Sequence, residues 1–88
     1  MKYRKRPIVV EAVQWTGTQE SLNEILEMGA TLLHGPTDDT RLVVTLEGDM
    51  LLKVGGYVIK GIKGEFYPCD EDIFVKTYEV VKGIKYRD

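Results

Sequence analysis

Side chains that bind metals or act as nucleophiles are scarce in this chain, which carries one cysteine, Cys69, and one histidine, His34, in 88 residues. A lone cysteine excludes an internal disulfide, and without a paired spacing such as C-x-x-C no metal site is expected. Long apolar runs are also missing, so no membrane-spanning segment is expected. The formal net charge of −2 gives no bulk attraction to nucleic acid, although Lys2, Arg4, Lys5 and Arg6 cluster at the start. Those basic residues lead only into Ile8-Val9-Val10 before Glu11 interrupts them, so no signal peptide is expected. A reducing cytoplasm is the compartment this implies.

What is present is the composition of an ordinary globular protein, 43% hydrophobic and 30% charged, with nine glycines. A chain this short buries only about 60% of its unfolded surface and holds one core. An active site would have to share its side chains with that core, so a binding protein is expected rather than an enzyme, and self-association is expected with it. No repeat, low-complexity tract or linker divides the chain. The expectation is one domain over 1–88, with a basic arm at 1–6 and a loose tail at 82–88.

The run Ile8–Trp15 is rich in β-branched residues with apolar side chains on both alternating faces, which predicts a central strand. Thr16 and Gln19 have capping-box spacing, and Leu22, Ile25 and Leu26 recur at helical spacing up to Gly29, predicting an amphipathic helix. Thr31-Leu32-Leu33 predicts a short strand, and His34–Thr40 a mobile loop. Arg41–Leu46 and Met50–Val54 flank Glu47-Gly48-Asp49 as a hairpin in which Leu42, Val44 and Leu46 share a face with Met50, Leu52 and Val54. Tyr57–Lys60 and Glu65–Tyr67 predict two more strands around glycine-rich turns, the second stopped by Pro68. Asp70, Glu71 and Asp72 open a last helix with Ile73, Phe74, Thr77 and Tyr78 on its inner side. There is too little helix between the later strands for parallel crossovers. The predicted fold class is α+β, a small, mainly antiparallel sheet with one longer and one short helix packed on it.

Most chemically suggestive groups have a structural explanation. Asp38 and Asp39 suit a turn, and Asp70, Glu71 and Asp72 suit a helix start. Cys69 and His34 have no spacing that promises a nucleophilic dyad, although Cys69 at the N-cap or first turn of the last helix would have a lowered thiol pKa. The stretch Gly55–Gly64 has neither P-loop nor dinucleotide spacing. It does bring Lys60 and Lys63 near glycine amides and near Tyr57, Phe66 and Tyr67, the ingredients for holding a phosphate and stacking a base. Trp15 either closes the core or walls a pocket, and Arg6 in the basic arm is a further phosphate contact. The candidate ligand-binding set is therefore Lys60, Lys63, Tyr67, Tyr57, Trp15 and Arg6, with no catalytic residue, metal or cofactor.

The opening M-K-Y-R-K-R-P-I-V-V-E-A-V-Q-W, together with G-G-Y-V-I-K-G-I-K-G-E-F-Y-P-C-D-E-D-I-F and the following T-Y-E, resembles a group of small phage and prophage proteins. In that group the second block reads G-D-(Y/W)-(I/V)-(I/V)-x-G, and Gly56 stands here in place of the acid. The resemblance implies a phage-encoded accessory protein in the bacterial cytoplasm and transfers no catalytic residue. Two functions follow as expectations. One is sequestration of a small nucleotide-like host defence signal, held between the subunits of a homo-oligomer. The other is docking on a host or phage protein through the basic arm and an exposed sheet edge.

Overall fold

The computed structural model describes residues 1–4 and 7–81. The expectations for Lys5 and Arg6 and for the tail at 82–88 lie outside those residues. The elements are β1 (Glu11–Gln14), α1 (Gln19–Met28), β2 (Leu32–His34), β3 (Arg41–Thr45), β4 (Gly48–Leu52), β5 (Tyr57–Lys60), β6 (Phe66–Cys69) and α2 (Glu71–Thr77). The fold is α+β, but its strands divide into two antiparallel three-stranded sheets, β1-β5-β6 and β2-β3-β4, rather than one. The first run is correspondingly an edge strand and not a central one. It begins only at Glu11, and Ile8 and Val9 before it are exposed.

The core lies between the two sheets and α1. Trp15 and Val58 from the first sheet, Val43 and Leu52 from the second, and Ile25 of α1 with Ala30 after it bury together, and Val13, Leu22, Met28, Leu32 and Phe66 pack around them. Helix α1 starts one residue pair later than the capping-box spacing suggested, because Thr18 and not Thr16 is the N-cap. Its hydroxyl oxygen accepts the Ser21 backbone N–H at 3.1 Å, satisfying one of the donors a helix start leaves open. The Ser21 hydroxyl, buried in turn, donates to the Thr18 carbonyl at 3.0 Å and accepts the Thr16 N–H at 3.2 Å. Leu26, assigned to the apolar stripe, is instead 45% exposed; Ser21, Leu22, Ile25 and Met28 form the inner face. The helix ends at Gly29 with φ of 113°, a left-handed backbone that glycine adopts without cost. A Cβ there would also lie 3.3 Å from the Phe66 ring.

The hairpin β3–β4 forms with a register three residues away from expectation. Thr45 pairs with Gly48 across the two-residue turn Leu46-Glu47, so Val43, and not Leu46, faces Met50, Leu42 faces Leu51 and Arg41 faces Leu52. Because strand faces alternate, a shift by an odd number parts Leu42 and Val44 from Met50 and Leu52. Val43 and Leu52 turn inward, while Leu42 and Val44 share the outer face with Leu51 and Asp49. The loop between β2 and β3 is shorter than predicted, since His34 belongs to β2. It is laced rather than loose: Gly35 N–H donates to Thr40 O at 3.1 Å, Thr37 Oγ1 to Asp39 Oδ1 at 2.7 Å, and Arg41 to Asp38 O at 2.9 Å.

Pro68 does not stop β6. The strand runs to Cys69, and proline is accommodated because β6 is an edge strand that need not donate on its outer side. Asp70, not Cys69, is the N-cap of α2. The helix buries less than expected, with Ile73 and Thr77 exposed and only Phe74 and Tyr78 turned to the sheet. Phe74 stacks on Tyr57 with ring centroids 3.7 Å apart, and Tyr78 follows at 4.9 Å. Tyr57 alternates with the core residue Val58, so α2 covers the face of β1-β5-β6 opposite the core, over the buried Ile59.

Candidate functional site

The candidate residues on β5 and β6 fall on both faces of their sheet. Tyr57, Ile59 and, in register with Ile59, Tyr67 share the face beneath α2. Lys60, cross-strand from Glu11 and Phe66, alternates to the core face at the end of β5, while Lys63 sits exposed in the following turn. One ring face of Tyr57 is already taken by Phe74. The Tyr67 phenol is pushed up to about 12, first by burial and then by the neighbouring Tyr78, Glu65 and Cys69. It is a packed phenol that stays neutral at physiological pH.

The turn after β5 does not present a free anion cradle. Gly61 N–H donates to Glu65 O at 2.7 Å, Gly64 N–H to Gly61 O at 3.0 Å, and Lys63 N–H to Glu65 Oε1 at 3.0 Å. The Glu65 carboxylate therefore takes the Lys63 amide, and backbone carbonyls take the other two, where a phosphate would have met them. Trp15 is a core residue, 1% exposed. Its Nε1 donates to Asp39 O at 2.9 Å and the Arg41 guanidinium lies 4.9 Å from its ring centroid, so the indole ties the β2–β3 loop to the first sheet. Arg6 lies outside the described residues. The five described candidates thus do not converge on one pocket.

The remaining chemical candidates also separate. His34 is exposed on β2 of one sheet and Cys69 ends β6 of the other. Burial, followed by the carboxylates of Asp70 and Asp72, raises the Cys69 thiol above its ordinary value, the reverse of the lowering that a helix start would give. Among the described residues no group of three or more His, Cys, Asp or Glu side chains is placed to hold a metal ion, and no helix is long and apolar enough to cross a membrane. At Gly56, where the resembling group carries an acid, the backbone is buried. A Cβ would meet Lys53 O at 3.1 Å and Cys69 O at 3.3 Å, so this chain has no room for a carboxylate there without moving its strands.

The surface that sequence reasoning missed is the outer face of β2-β3-β4. Leu33, Leu42 and Leu51 stand in direct register across the three strands, with Val44 beside Leu42. Leu33 is 42% exposed, Val44 39% and Leu51 45%. The readable signal was the two-residue turn Leu46-Glu47 followed by a glycine with φ of 109°; centring the turn on Gly48 put Leu42 and Val44 on the wrong side. A shallow groove also opens beside the hairpin, between Leu46, Glu47 and Met50 on one side and Glu65, Phe66 and Tyr67 on the other. Its two carboxylates make it unsuited to a phosphate. No protein-family model matches this chain, and no curated protein or solved structure is similar to it.

Proposed function

We propose that this protein is a non-enzymatic interaction module that docks on another folded protein through the outer face of β2-β3-β4. The observation that carries the reading is the Leu33–Leu42–Leu51 row, in register across the sheet with Leu33, Leu51 and the neighbouring Val44 exposed and Leu42 half-buried between them. Contiguous apolar surface of this kind, rather than singly scattered apolar side chains, is what protein-binding faces present. The partner chemistry it suits is an aliphatic patch or an amphipathic helix. The resemblance to phage accessory proteins supports a host or phage protein in the bacterial cytoplasm as that partner.

Sequestration of a nucleotide-like ligand has weaker geometric support, because one copy offers neither converging lysines nor free turn amides. It would need a site built between copies. A photo-crosslinker at Leu42, with Glu24 on α1 as the control position, tests the docking reading in extracts of infected bacteria. The expected result is one discrete protein adduct at Leu42 and none at Glu24. With that partner purified, Leu33→Ser is expected to weaken binding by about tenfold or more, as loss of an interface anchor does. Adducts equal at both positions would defeat the reading. Heat on titrating cyclic dinucleotides or NAD derivatives would restore the ligand-binding one.

A further inference from the structure

Strand β1 begins at Glu11, which pairs with Lys60 of β5, and Lys60 pairs in turn with Phe66 of β6. The chain before Glu11 therefore leaves the first sheet at the end where β6 begins. The groove between the β3–β4 hairpin and Glu65, Phe66 and Tyr67 opens at that same end. Ile8 and Val9 before β1, Leu46 in the hairpin turn and Ile62 in the turn before β6 are all exposed there. Scattered apolar residues are ordinary on a surface, but a group of them at one end beside a groove marks an interaction site. Met50 and Phe66 supply apolar walls, and a carboxylate stands on either side, Glu47 on the hairpin and Glu65 at the start of β6. Lys60 and Lys63 belong to this end of the molecule, but neither lines the groove. Its volume is about 270 Å³, under the range of about 300–1,000 Å³ usual for whole small-molecule ligands. It suits an inserted side chain instead.

We infer that this groove receives the segment Lys2-Tyr3-Arg4 of a second copy of the chain, with the Tyr3 ring against Met50 and Phe66 and the two cations beside Glu47 and Glu65. The segment is the chemical complement of the groove, an aromatic ring flanked by two cations meeting apolar walls flanked by two carboxylates. It is not seated in its own groove, since Met1 to Arg4 are all exposed and Tyr3 is 89% exposed. Segment and groove belong to one end of the molecule, so two copies meeting end to end each supply both halves of the contact. That arrangement closes about a two-fold axis and leaves no open end for further growth. The chain from Glu11 back to Tyr3 can span up to about 26 Å, long enough to cross such a joint. The contact uses none of the Leu33–Leu42–Leu51 face and does not rest on the docking reading.

Sedimentation equilibrium tests the exchange without reference to any partner protein. The wild type is expected to be a dimer that dissociates as salt is raised, since exposed charge pairs are screened. Lys2→Glu with Arg4→Glu reverses the segment, and Glu47→Lys reverses one wall of the groove. Each chain alone is expected to be monomeric, with an unchanged circular dichroism spectrum because all three positions are exposed. Mixed together they are expected to form a heterodimer, because each reversed or unreversed segment then meets a groove of the opposite sign. In a Cys69→Ser background, a chain carrying Tyr3→Cys and another carrying Met50→Cys should join by a disulfide on mild oxidation. A wild type that stays monomeric at millimolar concentration overturns the inference, as does a dimer that both sets of charge reversals leave intact or a mixture that fails to associate. A chain carrying both cysteines that closes its disulfide at monomer mass overturns it too, by placing the segment in its own groove. None of these outcomes bears on crosslinking at Leu42, so docking and dimerisation stand or fall separately.

Discussion

At the scale of single residues, the sequence names chemical groups and the structure decides whether they are available. Lys63 and the glycines around it have the composition of a phosphate cradle, but Glu65 accepts the Lys63 and Gly61 amides and the Gly61 carbonyl accepts that of Gly64. Tyr67 has the ring for stacking a base, but it is packed beneath α2 beside Tyr78. Its ionisation gives a pH prediction. The phenol is raised from an ordinary 10.0 to about 12 in the folded protein, so the folded state disfavours the phenolate relative to the unfolded chain. A raised value contributes stability that is complete below the unfolded value and is lost as pH climbs toward the folded one. Urea midpoints are therefore expected to fall as pH passes from 10 to 12, and Tyr67→Phe, which keeps the ring and removes the proton, is expected to flatten that fall. An unchanged slope in Tyr67→Phe would assign the alkaline loss to another group.

At the scale of elements, local signals succeeded where the chain alone sets the geometry. The alternation of β-branched residues, the stop at Gly29 and the acidic start of α2 each act through neighbours within a turn or two, and each was legible. Register was not, because it depends on which residues occupy the turn. Moving the turn from Glu47-Gly48-Asp49 to Leu46-Glu47 turned Val43 inward and Leu42 and Val44 outward on β3, while Leu52 on β4 kept the inner face. Adjacent valines on β3 test this assignment. Val43, 0% exposed, is expected to cost about 1–3 kcal/mol when cut to alanine, by lost transfer energy plus a cavity. Val44, 39% exposed, is expected to cost under about 1 kcal/mol in the same substitution, measured by urea unfolding. Equal costs, or the reverse order, would mean the register is the other one. Pro68 shows the same limit. Proline reads locally as a strand stop, yet a strand at the sheet edge tolerates it, and edge position is a property of the whole sheet.

At the scale of the molecule, one core serves both sheets. Trp15 and Val58 of the first meet Val43 and Leu52 of the second across Ile25 of α1, and the Trp15 indole holds the β2–β3 loop. The layer of Ile59 and Tyr57 under α2 is small beside this shared core, so the two sheets should unfold together. Tryptophan fluorescence, reporting on Trp15, and far-ultraviolet circular dichroism, reporting on all the strands, are expected to give coincident denaturation curves. Separated midpoints would mean that one sheet persists without the other. The sequence by itself determined the class of fold, the number and order of its strands and helices, and the scarcity of catalytic groups, because these depend on composition and on interactions between near neighbours. Tertiary structure alone decided that the strands divide into two sheets, that Lys60 parts from Tyr57 and Tyr67 to the opposite face, and that a registered leucine row lies on an outer sheet face, exposed at Leu33 and Leu51. Those outcomes turn on strand pairing between residues far apart in the chain, where a shift of one position reverses every side chain.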